Sequence, residues 1–239
     1  MSSLIITEKD YKEDNLLYIQ NSMADYMGKV GIEFSIKRIG ARVMLKVDFP
    51  EYYSEILGLE IADKIGEIIA INYKNEFFKK SISISGLSKN EEEILFTSLI
   101  AADLDDDKRY IVKKILDLDE IAIDGVYNFR LQKLKQKWKE IASVMPSTFV
   151  KSQLKDFISY LTENKRKKIF IQDEKVYDGH FRRLKRSMLL GGENINLVRE
   201  VLLSNCGEIE LYGKIPTEDE AYLREYYADK IFFSSTSYI

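Results

Sequence analysis

The chain has 239 residues, 45% of them hydrophobic and 31% charged, a composition that excludes disorder along its whole length. A single Cys excludes an intramolecular disulfide and a cysteine-based zinc site, and a single His excludes every motif that needs two imidazoles. The net charge of -3 is unevenly spread: -8 over residues 1–125, +9 over 126–200 and -4 over 201–239.

The N-terminus carries Glu8, Lys9 and Asp10 before any long apolar stretch, so no secretory signal is expected. Asn15–Tyr26 has helical spacing, with Gly28 and Gly31 as stops. Ile32–Arg38 and Val43–Phe49 alternate with period two around Ile39-Gly40-Ala41, which predicts a β-hairpin with one wet face. Glu51–Lys80 reads as a long helix, broken near Asn75, with a stripe through Ile56, Leu59, Ala62, Ile65, Ile69 and Tyr73 that should cover the hairpin. Ser88 and Glu91 have capping-box spacing and open a helix through Ala102; Asp105–Leu118 is the next helix. The longest uncharged apolar run, Ile94–Ala102, falls far short of the ~20 residues a membrane span needs.

Ile121–Gly125 is a short extended link. Val126–Met145 is the strongest helix, with Tyr127, Leu131, Leu134, Trp138, Ile141 and Met145 on one side. Pro146 stops it, and Ser147 or Thr148 caps a helix through about residue 164. A second hairpin follows at Ile169–Ile171 and Lys175–Tyr177, then a strand at Arg183–Leu190. Gly191-Gly192 precede a helix over Asn194–Asn205, Glu208–Tyr212 is a strand, and Thr217 with Glu220 is a second capping box opening a helix through Ala228. Lys230–Phe233 is the last strand, before a frayed tail at 234–239. The expected fold class is α+β: an N-terminal β-hairpin with a covering helix over 1–82, a mainly helical middle over 83–165, and a small C-terminal α/β unit over 166–239.

Candidate chemistry is sparse. Cys206 needs a base or an electropositive site to form a thiolate, and His180 is the sole imidazole. Asp103–Asp107 has alternating carboxylates, but Lys108 and Lys114 stand where a calcium loop needs Gly and Glu, so it reads as an exposed helix N-terminus. Gly191-Gly192 offers backbone donors, which Glu193 would oppose toward an anion. No catalytic, cofactor-binding or metal-ligating residue is assigned. The positive middle of the chain supplies a nucleic-acid alternative, with Arg130, Lys133, Lys137, Lys165, Arg166, Lys167, Lys168, Arg182, Arg183, Lys185 and Arg186 as phosphate contacts. Tyr177 and Phe181 would stack on bases there.

The segment Ile121-Ala-Ile-Asp-Gly-Val-Tyr-Asn-Phe-Arg-Leu131, running into the basic helix, resembles the YtxC-like family of sporulation proteins from endospore-forming bacteria. Ile61–Ile65, Leu197–Leu203, Ile209–Tyr212 and Tyr222–Phe233 are similar in character, so the resemblance spans roughly residues 30–233; Gly213 departs from it, standing where the family pattern has His. The resemblance implies a cytoplasmic bacterial protein of sporulation that acts through a protein partner, and it implies no activity, cofactor or site.

Overall fold

The computed structural model describes residues 2–24, 31–116, 118, 120–192 and 194–234. Tyr26, Gly28, Glu193 and the tail 235–239 lie outside them. The fold is α+β, with strands and a covering helix at the N-terminal end, helices through the middle and a small helix-covered sheet at the C-terminal end. Its contacts cluster into two interleaved units, 1–74 with 105–140 and 75–104 with 141–239. The expected consecutive division at 82/83 and 165/166 therefore gives way to an exchange of segments. Which elements bury one another decides the units, and neighbours in sequence need not do so.

In the first unit, β1 (Ser2–Lys9), β2 (Glu33–Ile39), β3 (Arg42–Phe49) and β4 (Glu120–Ala122) form a sheet in the order β2-β3-β1-β4. The expected hairpin closes at Ile39↔Arg42 around Gly40, whose φ of +61° suits a residue without a Cβ. β1 runs antiparallel to β3, from Ser2↔Phe49 to Lys9↔Arg42, and parallel to β4. The sequence reading misses β1, because Leu4-Ile5-Ile6 does not alternate. A strand bonded on both sides is specified by its neighbours as much as by its own pattern.

Val43, Leu45, Val47 and Phe49 are buried as the alternation requires. α1 (Glu13–Ser22) covers β1 and β3, and α2 (Ser54–Ile68) packs on α1. A π turn at Ile69–Tyr73 then leads into α3 (Lys74–Ser81), so the expected break falls slightly earlier than Asn75. α5 (Leu104–Ile115) crosses α2 at Gly66, where an added Cβ would stand 2.9 Å from Lys108 Cγ and 3.2 Å from Val112 Cγ2. The single helix expected over 126–145 is instead a π turn at Val126–Arg130, a non-helical Leu131 and α6 (Gln132–Val144). This step sets the Tyr127 ring 4.7 Å from that of Tyr73 and 6.2 Å from that of Trp138.

In the second unit, α4 (Lys89–Ala101) opens on the expected capping box: Glu91 Oε2 accepts from Ser88 N at 2.8 Å, and Ser88 Oγ accepts from Glu91 N at 3.4 Å. α7 (Lys151–Thr162) is capped differently from expectation. Gln153 Oε1 accepts from Val150 N, while Thr148 lies in a bridge with Ser85. β5 (Lys168–Gln172), β6 (Lys175–Tyr177), β7 (Glu208–Tyr212) and β8 (Ile231–Ser234) form a sheet in the order β6-β5-β7-β8.

The β5–β6 hairpin turns on Asp173 and Glu174, both at positive φ, the geometry a two-residue hairpin loop favours. β5, β7 and β8 are parallel, connected through α8 (Asn196–Ser204) and α9 (Thr217–Tyr227) as βαβ units. The strand expected over Arg183–Leu190 does not form: Arg183 makes one bridge to Tyr177, and Arg186–Leu190 is a 3-10 helix. Glu200 takes the Ser187 N–H that a ladder would have used. The capping box expected at Thr217 is also absent. Thr217 is already the first helical residue after Pro216, and Glu220 pairs with Arg224 at 2.7 Å; Asp219 accepts from Val198 N in the first turn of α8.

Candidate functional site

The side chains best suited to covalent chemistry are disarmed by their surroundings. Cys206 is fully buried after α8, and burial pushes its thiol up to about 11. The thiolate is the reactive form, so this sulfur is inert in the folded chain. His180 lies exposed in the 178–182 loop, its backbone N–H held by Asp178 Oδ1. Asp107 was expected on an exposed helix end; it is buried instead. Its carboxylate accepts from Lys74 Nζ at 2.8 Å, Lys137 Nζ at 2.7 Å and Trp138 Nε1 at 2.8 Å. Lys137, expected to contact phosphate, is thus paired internally. Gly191 and Gly192 have φ of +66° and +76°, so the turn itself needs glycine. Among the described residues, no group of three His, Cys, Asp or Glu is placed to hold a metal ion, and no helix is long and apolar enough to cross a membrane.

The remaining basic residues divide between the units. Arg130 and Lys133 are exposed in the first. In the second, the 165–168 run and the 178–183 loop meet beside the start of β5. Gly207 N donates to Lys167 O at 2.9 Å, and a Cβ on Gly207 would collide with the Lys165 carbonyl. A Cβ on Gly179 would lie 3.8 Å from Lys168 O. Several of these cations are neutralised locally. Lys168 bridges Glu208 at 3.1 Å and Glu210 at 2.7 Å, Arg182 pairs with Asp178 at 3.1 Å, and Arg186 Nη1 reaches Leu203 O at the end of α8.

Asp178 organises the loop. Burial works against its charge, but N–H donors from Arg182 and His180 outweigh that and hold the carboxyl below its ordinary range. The loop places Phe181 at φ +58°, an unusual conformation for a bulky residue, with its ring 4.8 Å from that of Phe170 and 47% of the residue exposed.

Two features were not legible in the sequence. Ile56 and Leu59, expected in the core, are exposed by 58% and 47%, in line with Tyr52 at 78%. Spacings of four and three bring Tyr52, in the 3-10 turn at Glu51–Tyr53, into line with Ile56 and Leu59 at the start of α2, with Glu51 and Glu55 exposed beside them. The other feature is a cavity of about 190 Å³ between β6, the 183–188 segment and the first turns of α8, with Glu200 in its wall. Glu200 is only 3% exposed; its Oε2 accepts from Ser187 N at 2.6 Å, and its Oε1 has no hydrogen-bond partner. Burial pushes its carboxyl above the ordinary range. Nothing in the sequence signalled a buried Glu200: Asn196, Arg199, Glu200 and Ser204 share one polar face of α8, which periodicity alone reads as wet.

No protein-family model, no curated protein and no solved structure matches the chain.

Proposed function

We propose that this chain is a cytoplasmic, bacterial, sporulation-associated protein of the YtxC-like kind, acting through contact with a protein partner and not through covalent chemistry. The resemblance of its segments supports the sporulation part of that reading. The contact part is carried by one observation: Ile56 and Leu59, the start of a stripe whose sequence pattern is that of a core, stand in water together with Tyr52. Its C-terminal continuation, Ala62, Ile65 and Ile69, is buried in the fold. An apolar face rimmed by Glu51 and Glu55 suits a partner with an apolar strip flanked by Lys or Arg. A photo-crosslinking residue at position 56 tests this in sporulating cells. A protein adduct that survives nuclease and is lost with Leu59→Asp is expected. Loss of the adduct on nuclease treatment, or no adduct at all, sinks the reading.

The loop carrying Phe181 favours nucleic acid as a second reading. A stacked, half-exposed ring two residues from the exposed Arg183 is the pairing of aromatic face and cation that single strands use. Five phosphate contacts would impose a log–log salt slope of about -3.5 on a single strand. Fluorescence anisotropy with a labelled oligonucleotide measures it, and a flat response between low and moderate salt removes this reading.

A further inference from the structure

Among the described residues, four strands end the two sheets, and β2 is unlike the other three. β4, β6 and β8 are three, three and four residues long, whereas β2 runs for seven, Glu33–Ile39. Natural edges are kept short, bulged or broken by Pro, because a free ladder recruits another strand. β2 has no Pro, and its register with β3 is unbroken from Glu33↔Asp48 to Ile39↔Arg42. The ladder also fixes which groups are free. Asp10 N donates to Ala41 O at 3.1 Å, so from Ala41 onward the odd-numbered residues bond β1 and the even-numbered residues bond β2. The partners of those even positions are Glu33, Ser35, Lys37 and Ile39. Phe34, Ile36 and Arg38 therefore turn their N–H and C=O groups to the open edge.

An antiparallel neighbour must set its own outward residues opposite these, which restricts the strands this edge can take. A second copy of β2 meets the condition when a two-fold axis passes through Ser35. Phe34 then stands opposite Ile36 of the second copy, and these pairs exchange the backbone hydrogen bonds. Glu33 stands opposite Lys37 of the second copy on the other face. Centring on Ile36 keeps the hydrogen bonds but sets Phe34 against Arg38 and Glu33 against Ile39, so side-chain chemistry selects the first register. Glu33 and Lys37 are exposed and make no ion pair with a described residue, while Phe34 and Ile36 are half-buried, beside the strands β1 and β3 that α1 covers. Opposite charges and apolar pairs directly across a ladder stabilise it. We propose that this edge is the interface of a homodimer: β2 pairs antiparallel with β2 of a second copy about Ser35, joining two four-stranded sheets into one continuous sheet.

Sedimentation equilibrium of the full chain tests the proposal. A concentration-dependent dimer is expected, and a chain that stays monomeric up to about 0.5 mM overturns it. Glu33→Lys and Lys37→Glu should each weaken the dimer by about fivefold or more, and the double variant should recover the parent's affinity. Ile36→Pro removes an outward N–H and should abolish the dimer; the charge variants carry the test if it disturbs the hairpin. Oxidation reads the register directly. Ser35 would face its counterpart in a non-hydrogen-bonded pair, with Cα atoms ~4.5 Å apart and within disulfide reach, so Ser35→Cys should crosslink two copies. Lys37→Cys should not, because its counterpart lies about 14 Å along the ladder. Cys206 is buried and adds no background. A dimer that ignores the charge variants, or that crosslinks through position 37 as readily as through 35, also overturns the proposal. None of these variants touches Tyr52, Ile56 or Leu59, so the outcome is independent of any partner at the α2 stripe.

Discussion

The two units differ in how completely their buried polar groups are satisfied. In the first, the buried carboxylates of Glu8, Glu67 and Asp107 all find donors within the unit. Glu8 accepts from Tyr73 Oη at 2.7 Å, Asn15 Nδ2 at 3.2 Å and Lys9 N at 2.9 Å. Glu67 accepts from Tyr18 Oη at 2.7 Å and Lys64 Nζ at 2.9 Å. Asp107 binds Lys74, Lys137 and Trp138. In the second unit, Arg199 Nη1 donates to Gly191 O at 2.7 Å, yet its Nε and Nη2 are unfilled, as are Glu200 Oε1 and Asn75 Oδ1. A satisfied buried charge fixes geometry and leaves nothing for a visitor. An unsatisfied one costs stability and keeps bonding capacity in reserve. The contrast is therefore one of stability: the first unit's buried carboxylates are met within it, and the second carries the cost of unfilled polar atoms.

That contrast is easiest to break at Asp107. Asp107→Ala leaves Lys74 buried without its carboxylate and should cost about 3–5 kcal/mol in urea unfolding. A loss below about 1 kcal/mol would mean the network is ornamental. The next largest effect is the pH response of Glu200. Its folded pKa is raised, so the folded state binds the extra proton. Stability should be fullest below the unfolded value of about 4.3 and fall as pH rises toward the folded pKa. Glu200→Gln should flatten that slope, and an unchanged pH profile would contradict the burial of an uncompensated charge.

Asp124 of the first unit sharpens the comparison with the opposite sign. Burial opposes its charge, but the hydrogen bond from Arg42 at 2.6 Å prevails and lowers its pKa. Its contribution should be present above about pH 4 and lost as pH falls through the folded value, and Asp124→Asn should remove that acid-side loss. Ile56→Glu should change stability by no more than about 0.5 kcal/mol, because the side chain is exposed, while abolishing partner crosslinks at the stripe. The smallest effect is at Cys206. With its thiol at about 11, iodoacetamide should leave it unmodified at about pH 8 until denaturant is added. Rapid labelling of the folded chain would show that the second unit opens more readily than its burial implies.

Local pattern determined much of this protein. The alternation at 32–38 and 43–49, the Asp173-Glu174 turn, the Ser88 capping box and the strand at Glu208–Tyr212 all formed as read, because each depends on residues within a few positions of one another. The elements that failed were those whose partners are distant. The expected strand over 183–190 lost its Ser187 N–H to Glu200, and the Thr217 box did not form because the helix starts at Thr217 itself, after Pro216. Periodicity placed Ile56 and Ile65 on one stripe, but it could not say that the fold covers only the second of them. Nor could it say that Asp107 meets Lys74 across 33 positions, or that Glu200 comes to line a cavity with Lys175 and Arg183. Secondary structure follows from neighbours along the chain; burial, ion pairing and cavities follow from which surfaces meet, and only the folded arrangement decides that.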